Sequence, residues 1–166
     1  MTANISNYSI STDKSKLNFN VIYNFIANSY WAKGIPKSVM QSAIDNSMCF
    51  GVYSAHNEQV GFARVVTDKA TFAYLADVFI TPHLQGNGLS KLLIKTIVEH
   101  PELQGLRRFL LATSDAHGLY AQYGFKPIDN PALLMQINPE NVYGKNNREG
   151  RTCSFFKTLL GATESY

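Results

Sequence analysis

The stretch that decides the fold is Tyr74–Lys95, YLADVFITPHLQGNGLSKLLIK. It begins with Tyr74–Ile80, a short apolar run rich in β-branched and aromatic side chains, which predicts a buried strand. Proline cannot donate a hydrogen bond to a strand ladder, so Pro82 ends this strand. From Gly88 onward, apolar residues recur at the spacing of one helix face, and Pro101 ends the helix by restricting the residue before it. The stretch therefore predicts a strand, a glycine-bearing loop and a helix.

The loop between them, Gln85-Gly86-Asn87-Gly88-Leu89-Ser90, has the composition of an anion site. Glycine and asparagine adopt backbone dihedrals that other residues avoid. The start of a helix leaves N–H groups unpaired and carries about half a unit of positive charge. A phosphate fits such a position well. The alternative is that the two glycines only make a tight turn.

The composition limits the classes of protein to which the chain can belong. The chain has 166 residues, of which 45% are hydrophobic and 16% charged, as expected for one globular domain. Its net charge of +3 is small and its lysines and arginines are scattered, so we expect no nucleic-acid partner. No apolar stretch approaches the roughly 18 residues of a membrane span, and no signal peptide precedes the first polar segment. We therefore expect a cytoplasmic protein with no membrane partner.

The cysteines and histidines have no spacing typical of a metal site or a disulfide framework. Cys49 and Cys153 lie far apart, and the four histidines are dispersed. We therefore predict no bound metal.

The rest of the chain predicts two early helices, an antiparallel meander and a β-α-β-α-β tail. Asp115 is the expected N-cap of the helix in this tail, and Gly124 its end. The predicted strands are 8–10, 48–54, 59–66, 73–80, 108–112, 125–128 and 133–137, and the predicted helices are 16–29, 36–46, 88–100, 116–123 and 154–160.

Two motifs together resemble the GCN5-related N-acetyltransferase (GNAT) superfamily. The family signature Arg/Gln-x-x-Gly-x-Gly/Ala at a helix start is matched by Gln85 and Gly88, with Ser90 in place of the last small residue. A tyrosine four residues before a Gly-Phe pair is matched by Tyr120 with Gly124-Phe125. The resemblance covers about residues 5–138 and leaves 139–166 as a C-terminal extension of one domain, 1–166.

The resemblance implies an α/β fold with a mixed, mostly antiparallel sheet of about six to seven strands and about four helices. The fourth and fifth strands, here 74–80 and 108–113, would splay apart, and acetyl-CoA would enter the gap. Its pyrophosphate would lie on the N–H groups of the loop, and its pantetheine would pair with the free backbone of the fourth strand. The implied cofactor-binding residues are Val78, Phe79, Ile80, Gln85, Gly86, Asn87, Gly88, Leu89, Ser90 and Asp115.

Two residues are candidates for the chemistry of amine acetylation. By the resemblance, Tyr120 stands over the thioester sulfur and donates a proton to the leaving thiolate; otherwise it packs on the sheet. Asp77 is the only charge in an apolar strand, where an unpaired carboxylate is costly to bury. Period-2 alternation places it on the same face as Leu75 and Phe79. It could bind the amine or remove its proton, or it could form an ion pair with Arg64.

The acceptor is less constrained by the sequence. Tyr30, Trp31, Phe72 and Tyr74 could line a pocket suited to a cation or a ring, and Arg64 could select an acidic group. We predict direct acetyl transfer to a primary amine of a small molecule or peptide. The alternatives are a nucleotide or dinucleotide binder that uses Gly86-Asn87-Gly88, and a catalytically silent acyl-CoA sensor. Residues 139–166 could serve a homodimer contact or pack back on the domain.

Overall fold

A computed structural model of the chain describes residues 5–139 and 142–143. That part of the chain contains five strands and four α-helices, in the order β1-α1-α2-β2-β3-β4-α3-β5-α4. The strands are β1 (Tyr8–Ser11), β2 (Met48–Ser54), β3 (Gln59–Thr67), β4 (Phe72–Ile80) and β5 (Arg108–Leu111). The helices are α1 (Phe19–Ile26), α2 (Lys37–Asp45), α3 (Leu89–Val98) and α4 (His117–Ala121).

The strands form one sheet in the order β1-β2-β3-β4-β5. Neighbouring pairs from β1 to β4 are antiparallel, and β4 and β5 are parallel. A parallel pair needs a long crossover, which α3 supplies. The meander and the β-α-β unit expected from the sequence are thus confirmed.

Helices cover both faces of the sheet. On one face, Leu93, Ile94 and Ile97 of α3 belong to a buried cluster that also contains Leu75 of β4. On the other face, Phe25 of α1 stacks on Phe79 of β4 with ring centroids 4.0 Å apart. The sheet is therefore the middle layer of three, with α3 and α1 on opposite sides.

A β-bulge interrupts β4 at Asp77. Phe62 of β3 pairs with Phe79, whereas Arg64, two residues on, pairs with Ala76, so β4 carries one extra residue between them. Asp77 has a φ of 55°, which aspartate tolerates better than most residues. The bulge shifts the alternation, so Leu75 and Phe79 face opposite sides of the sheet. The predicted common face of Leu75, Asp77 and Phe79 was wrong for this reason.

The sheet opens between β4 and β5. Their pairing extends only from Phe72 to Leu75 on β4, opposite Arg108–Leu111. Residues 76–80 of β4 continue past the end of β5, so this edge has no strand partner among the described residues. The splay expected from the resemblance is confirmed, and it coincides with the bulge.

Two predicted strands do not form. Residues 125–128 have no regular structure, and Pro131–Leu133 is a 3-10 turn in which the Asn130 side chain accepts a hydrogen bond from Ala132 N. Pro127 has no N–H to give to a ladder, and the capped turn at Pro131 breaks the second run. The described residues therefore contain five strands instead of six to seven.

The chain divides into two compact units, Met1–Leu134 and Met135–Tyr166. The predicted helix at 154–160 and most of the predicted extension lie outside the described residues, and a single domain over 1–166 stays a prediction. None of the helices described is long and apolar enough to span a membrane.

Candidate functional site

The loop before α3 has the geometry of an anion site. Gly88 is the N-cap of α3 with a φ of 84°, and within the described part of the chain no side chain caps the helix. The first-turn N–H groups of α3 are therefore left for another acceptor. Gly86 has a φ of 78°, and a Cβ built on it meets no atom within 4 Å. The backbone at Gly86 is thus open to close approach by a ligand.

The splayed end of β4 leads directly into this loop. Gln85 Nε2 donates to the Ile80 carbonyl oxygen at 3.0 Å, so one acceptor on the strand is already occupied by the loop. The next residue, Thr81, has a buried Oγ1 that lacks a hydrogen-bond partner within the described part of the chain. The chain thus presents the open strand edge first, then the Thr81 hydroxyl and then the start of α3. An extended ligand that carries amides and phosphates requires groups in this order.

The spacing between Tyr120 and Gly124-Phe125 has a local structural cause. Phe125 N donates to the Tyr120 carbonyl and Gly124 N to the Ala121 carbonyl, which is the bonding pattern of a Schellman motif. Gly124 supplies the left-handed residue with a φ of 87°. The rings of Tyr120 and Phe125 lie 5.9 Å apart and complete the motif with an apolar contact. The turn thereby fixes Tyr120 at the end of α4.

Tyr120 is buried, with 9% of its surface exposed. Burial raises the pKa of its hydroxyl above the ordinary value of 10.0, and nearby Asp115 and Tyr30 raise it further. The phenol therefore keeps its proton at neutral pH, as a proton donor must.

Asp77 is held by two donors. Arg64 Nε lies 2.8 Å from Oδ2 of the carboxylate, and the Trp31 indole Nε1 lies 3.2 Å from Oδ1. Arg64 also donates from Nη1 to Ser47 Oγ at 3.1 Å. The side chains of Arg64 and Asp77 are 17% and 9% exposed. The ion pair considered from the sequence is therefore present, and the bulge orients Asp77 so that it forms.

The loop between α1 and α2 links both sides of the splay. Trp31 reaches Asp77 on β4, while Tyr30 Oη lies 2.9 Å from Ser114 Oγ just beyond β5. The rings of Tyr30 and Trp31 contact each other edge to face at 5.0 Å. Four of the predicted residues are thus brought together at the mouth of the splay: Tyr30, Trp31, Arg64 and Asp77.

Other predicted residues lie apart from this group. Phe72 is at the opposite end of β4 from Asp77, a separation of about 17 Å at 3.4 Å per residue, and its N–H is bound by Asp68. Tyr74 pairs with Val66 and Leu110 in the closed half of the sheet. We find no contact that joins either residue to Trp31 among the described residues.

Asp115 is not the N-cap of α4. The cap position belongs to Ala116, whose N–H is bound by Thr113 Oγ1 at 3.0 Å. The Asp115 carboxylate instead accepts a 3.4 Å contact from Ser114 Oγ. Among the described residues no side chain caps α4, because the Thr113 hydroxyl binds the N–H of the cap residue itself and not one of the first helical turn.

A cavity of about 340 Å³ lies beside β5. Its wall is formed by β5, α4 and residues 125–128, and it includes Tyr120 and His117. Neither Asp77 nor the loop before α3 lines it. The cavity is therefore lined from β5 and α4 and not from β4.

Sequence reasoning missed Ser47 and Ser114. Each uses a hydroxyl to hold a side chain far away in the sequence: Ser47 is 17 positions from Arg64, and Ser114 is 84 positions from Tyr30. Serine at a turn has no pattern that identifies such a partner. Only the fold reveals these contacts.

The comparisons with known proteins agree with this geometry. A sequence profile of the family described as "Acetyltransferase (GNAT) domain" matches residues 12–135. A protein from Gibberella zeae that is named as an acetyltransferase is 32% identical over an alignment of 137 residues, and the match covers 69% of this chain and 76% of that protein.

Solved structures share the fold. A Xanthomonas campestris protein assigned to the GNAT family superposes with a TM-score of 0.80 at 50% identity, covering 82% of this chain and 96% of that one. A GNAT protein from Elizabethkingia anophelis with acetyl-CoA bound has a TM-score of 0.58 at 14% identity, covering 74% and 78% of the two chains. Because the family profile spans residues 12–135, this chain belongs to the GNAT acetyltransferase family and is an acyltransferase.

Proposed function

We propose that the protein transfers an acetyl group from acetyl-CoA directly to a primary amine of a small molecule or peptide. One observation carries the proposal. β4 runs on from Leu75 to Ile80 with one edge unpaired among the described residues, and the loop that follows begins a helix that no side chain caps. An edge and a helix start in this order suit a ligand with an amide-bearing arm and a pyrophosphate.

The residues of the open edge and of the loop before α3 fit acetyl-CoA. The backbone of Val78–Ile80 would pair with the pantetheine, and Gln85–Ser90 would hold the pyrophosphate. The open space at Gly86 supports this assignment, since a side chain there would fill the approach to the backbone. Asp115 stays a candidate contact for the pantetheine, through its position after β5.

The bound thioester supplies an acyl group that is already activated, so no covalent enzyme intermediate is needed. The amine nitrogen forms a bond to the acetyl carbon, and the carbon–sulfur bond breaks. Tyr120 delivers a proton to the leaving sulfur, and its raised pKa supports this role. The N–H groups of Val78 or Phe79 would stabilise the oxyanion.

We assign Asp77 to binding of the acceptor ammonium and not to removal of its proton. Its Oδ2 is bound by Arg64, and protonation of the carboxylate would sacrifice this ion pair. An amine with a pKa of about 10.4 arrives charged and must lose a proton before it attacks. Water at the exposed mouth would take this proton, while Asp77 orients the nitrogen.

Calorimetric titration of acetyl-CoA, CoA, NAD and ATP into the purified protein tests the cofactor. We expect micromolar binding of both CoA species and no heat from NAD or ATP. Silence from both CoA species would contradict the proposal, and a response to NAD or ATP would favour a nucleotide binder.

A thiol-release assay with a panel of primary amines then tests transfer. Amine-dependent release of CoA is expected from the wild type. Binding of acetyl-CoA without release on any amine would favour an acyl-CoA sensor.

A further inference from the structure

We propose that the acceptor ammonium displaces the Trp31 indole N–H from Asp77 Oδ1, so that Trp31 selects and admits the acceptor. The inference rests on the proposed transferase function and deepens it. It defines the acceptor as an unhindered primary amine that binds in its protonated form.

The two oxygens of Asp77 are held unequally. Arg64 binds Oδ2 at 2.8 Å through a charge-assisted bond and is itself fixed by Ser47. Trp31 binds Oδ1 at 3.2 Å through a neutral donor, at the long end of the range for N–H···O bonds. A charged donor binds a carboxylate about twice as strongly as a neutral one. Oδ1 is therefore the oxygen from which an ammonium can displace the donor already bound there.

The Trp31 side chain can leave Asp77 while the loop between α1 and α2 stays folded. Its side chain is 45% exposed, so few packing contacts hold it. The loop keeps other anchors, because Tyr30 binds Ser114, Gly34 N donates to the Ala27 carbonyl, and Ala32 N donates to Ser29 Oγ. Exposed side chains change rotamer within nanoseconds. The indole can thus swing aside while the backbone stays in place.

The displaced indole would remain useful to the acceptor. Its ring and that of Tyr30, which is 72% exposed, already lie together at the mouth of the splay. Aromatic faces attract a cation, so the pair would flank the ammonium beside Asp77. The carboxylate still requires N–H donors, which a quaternary ammonium lacks. The site should therefore separate primary from quaternary amines of equal charge.

Fluorescence gives a direct readout, since Trp31 is the chain's only tryptophan. The probes are n-butylammonium, tetramethylammonium and 1-butanol at neutral pH. We expect a saturable change in emission with n-butylammonium, at least tenfold weaker binding of tetramethylammonium and no response to 1-butanol. An equal response to 1-butanol, or no saturable response to n-butylammonium, would overturn the proposal.

Trp31→Phe removes the indole N–H and keeps an aromatic ring. If the N–H competes with the acceptor, calorimetry should show n-butylammonium binding two- to tenfold more tightly, as expected for the loss of one neutral hydrogen bond. If Trp31 instead positions Asp77 for the acceptor, binding should weaken, which would contradict the proposal. The sign of the change therefore decides between the two roles.

Tyr30→Phe is the matched control, because it removes the bond to Ser114 and leaves both donors on Asp77. We expect no tightening of n-butylammonium binding in this variant, and a gain equal to that of Trp31→Phe would refute the displacement. Acetyl-CoA affinity, measured on the same samples, should be unchanged in both variants. Loss of acetyl-CoA binding by the wild type would instead count against the proposed function, so the two failures are distinguishable.

Discussion

The two halves of β4 differ in almost every respect. Phe72–Leu75 pairs with β3 on one side and β5 on the other, and Leu75 is 2% exposed in the core. Residues 76–80 contain the bulge at Asp77 and have β3 as their only strand partner among the described residues. One half thus completes the sheet, and the other presents backbone and a charged side chain at its opening.

The difference shows how one strand can serve stability and function at once. Regular pairing satisfies the backbone of the first half, and this leaves nothing there for a ligand. The second half gives up one ladder and adopts a left-handed residue at Asp77. Such backbone costs of order 1 kcal/mol or more and persists only where its surroundings hold it, as Arg64 and Trp31 do here. Local departure from regularity therefore marks the site.

We expect the rate of acetyl transfer to depend most strongly on Tyr120. We expect Tyr120→Phe to lower kcat by about 100-fold or more, the usual contribution of a general acid, with little change in acetyl-CoA affinity. The wild-type rate should also fall as pH rises through the raised pKa of Tyr120, because only the protonated phenol can donate. Steady-state kinetics across the alkaline range would check both effects. Equal rates in variant and wild type would remove Tyr120 as the acid.

Hydrogen exchange should separate the two halves directly. With acetyl-CoA at 100 times its Kd, amides of residues 76–80 on the free edge should gain up to about 100-fold protection, since binding stabilises the closed state by mass action. The amides of 72–75 are already paired and should change far less. Exchange followed by NMR with and without acetyl-CoA would show this. An equal gain in both halves would mean that the ligand stabilises the whole fold and not this edge.

A smaller effect should come from the loop after the open half. Gly86→Ala places a methyl group where no atom of the described residues lies within 4 Å, and we expect acetyl-CoA affinity to fall about tenfold, or roughly 1.4 kcal/mol. Gly105→Ala is the matched control, with a φ of 70° against 78° at Gly86 and equally open surroundings.

Both variants pay the same left-handed backbone penalty, roughly 1–2 kcal/mol of stability, so only the difference in affinity reports the ligand. Calorimetry and thermal unfolding on the two proteins would measure the two quantities. The same affinity in both would discard the assignment of Gln85–Ser90 to the pyrophosphate.

Most of the fold could be predicted because its signals are local. Apolar runs predict β2, β3 and β4, and the helical spacing of apolar residues predicts α3. In each case the predicted ends lie within a few residues of the observed ones. Gly124 was predicted to end α4, and it supplies the left-handed residue of the turn that fixes Tyr120. The strands predicted at 125–128 and 133–137 do not form, although their apolar composition favours strands. Pro127 cannot donate a hydrogen bond to a ladder, and Pro131 begins a 3-10 turn that runs into the second segment. The prediction that Asp115 caps α4 was wrong, because Asp115 accepts from Ser114 Oγ and the cap position falls one residue later, at Ala116.

Most of the strands and helices, the glycine-bearing loop before α3 and the lone carboxylate of Asp77 in an apolar strand follow from the sequence alone. Tertiary structure alone decided what that carboxylate does. The bulge turns Asp77 toward Arg64, and a loop 46 positions away in the sequence brings the Trp31 indole to its other oxygen. Hydrophobic periodicity and secondary-structure propensity act over a few neighbouring residues. The contacts of Asp77 depend instead on the register of β3 against β4 and on where α1 ends.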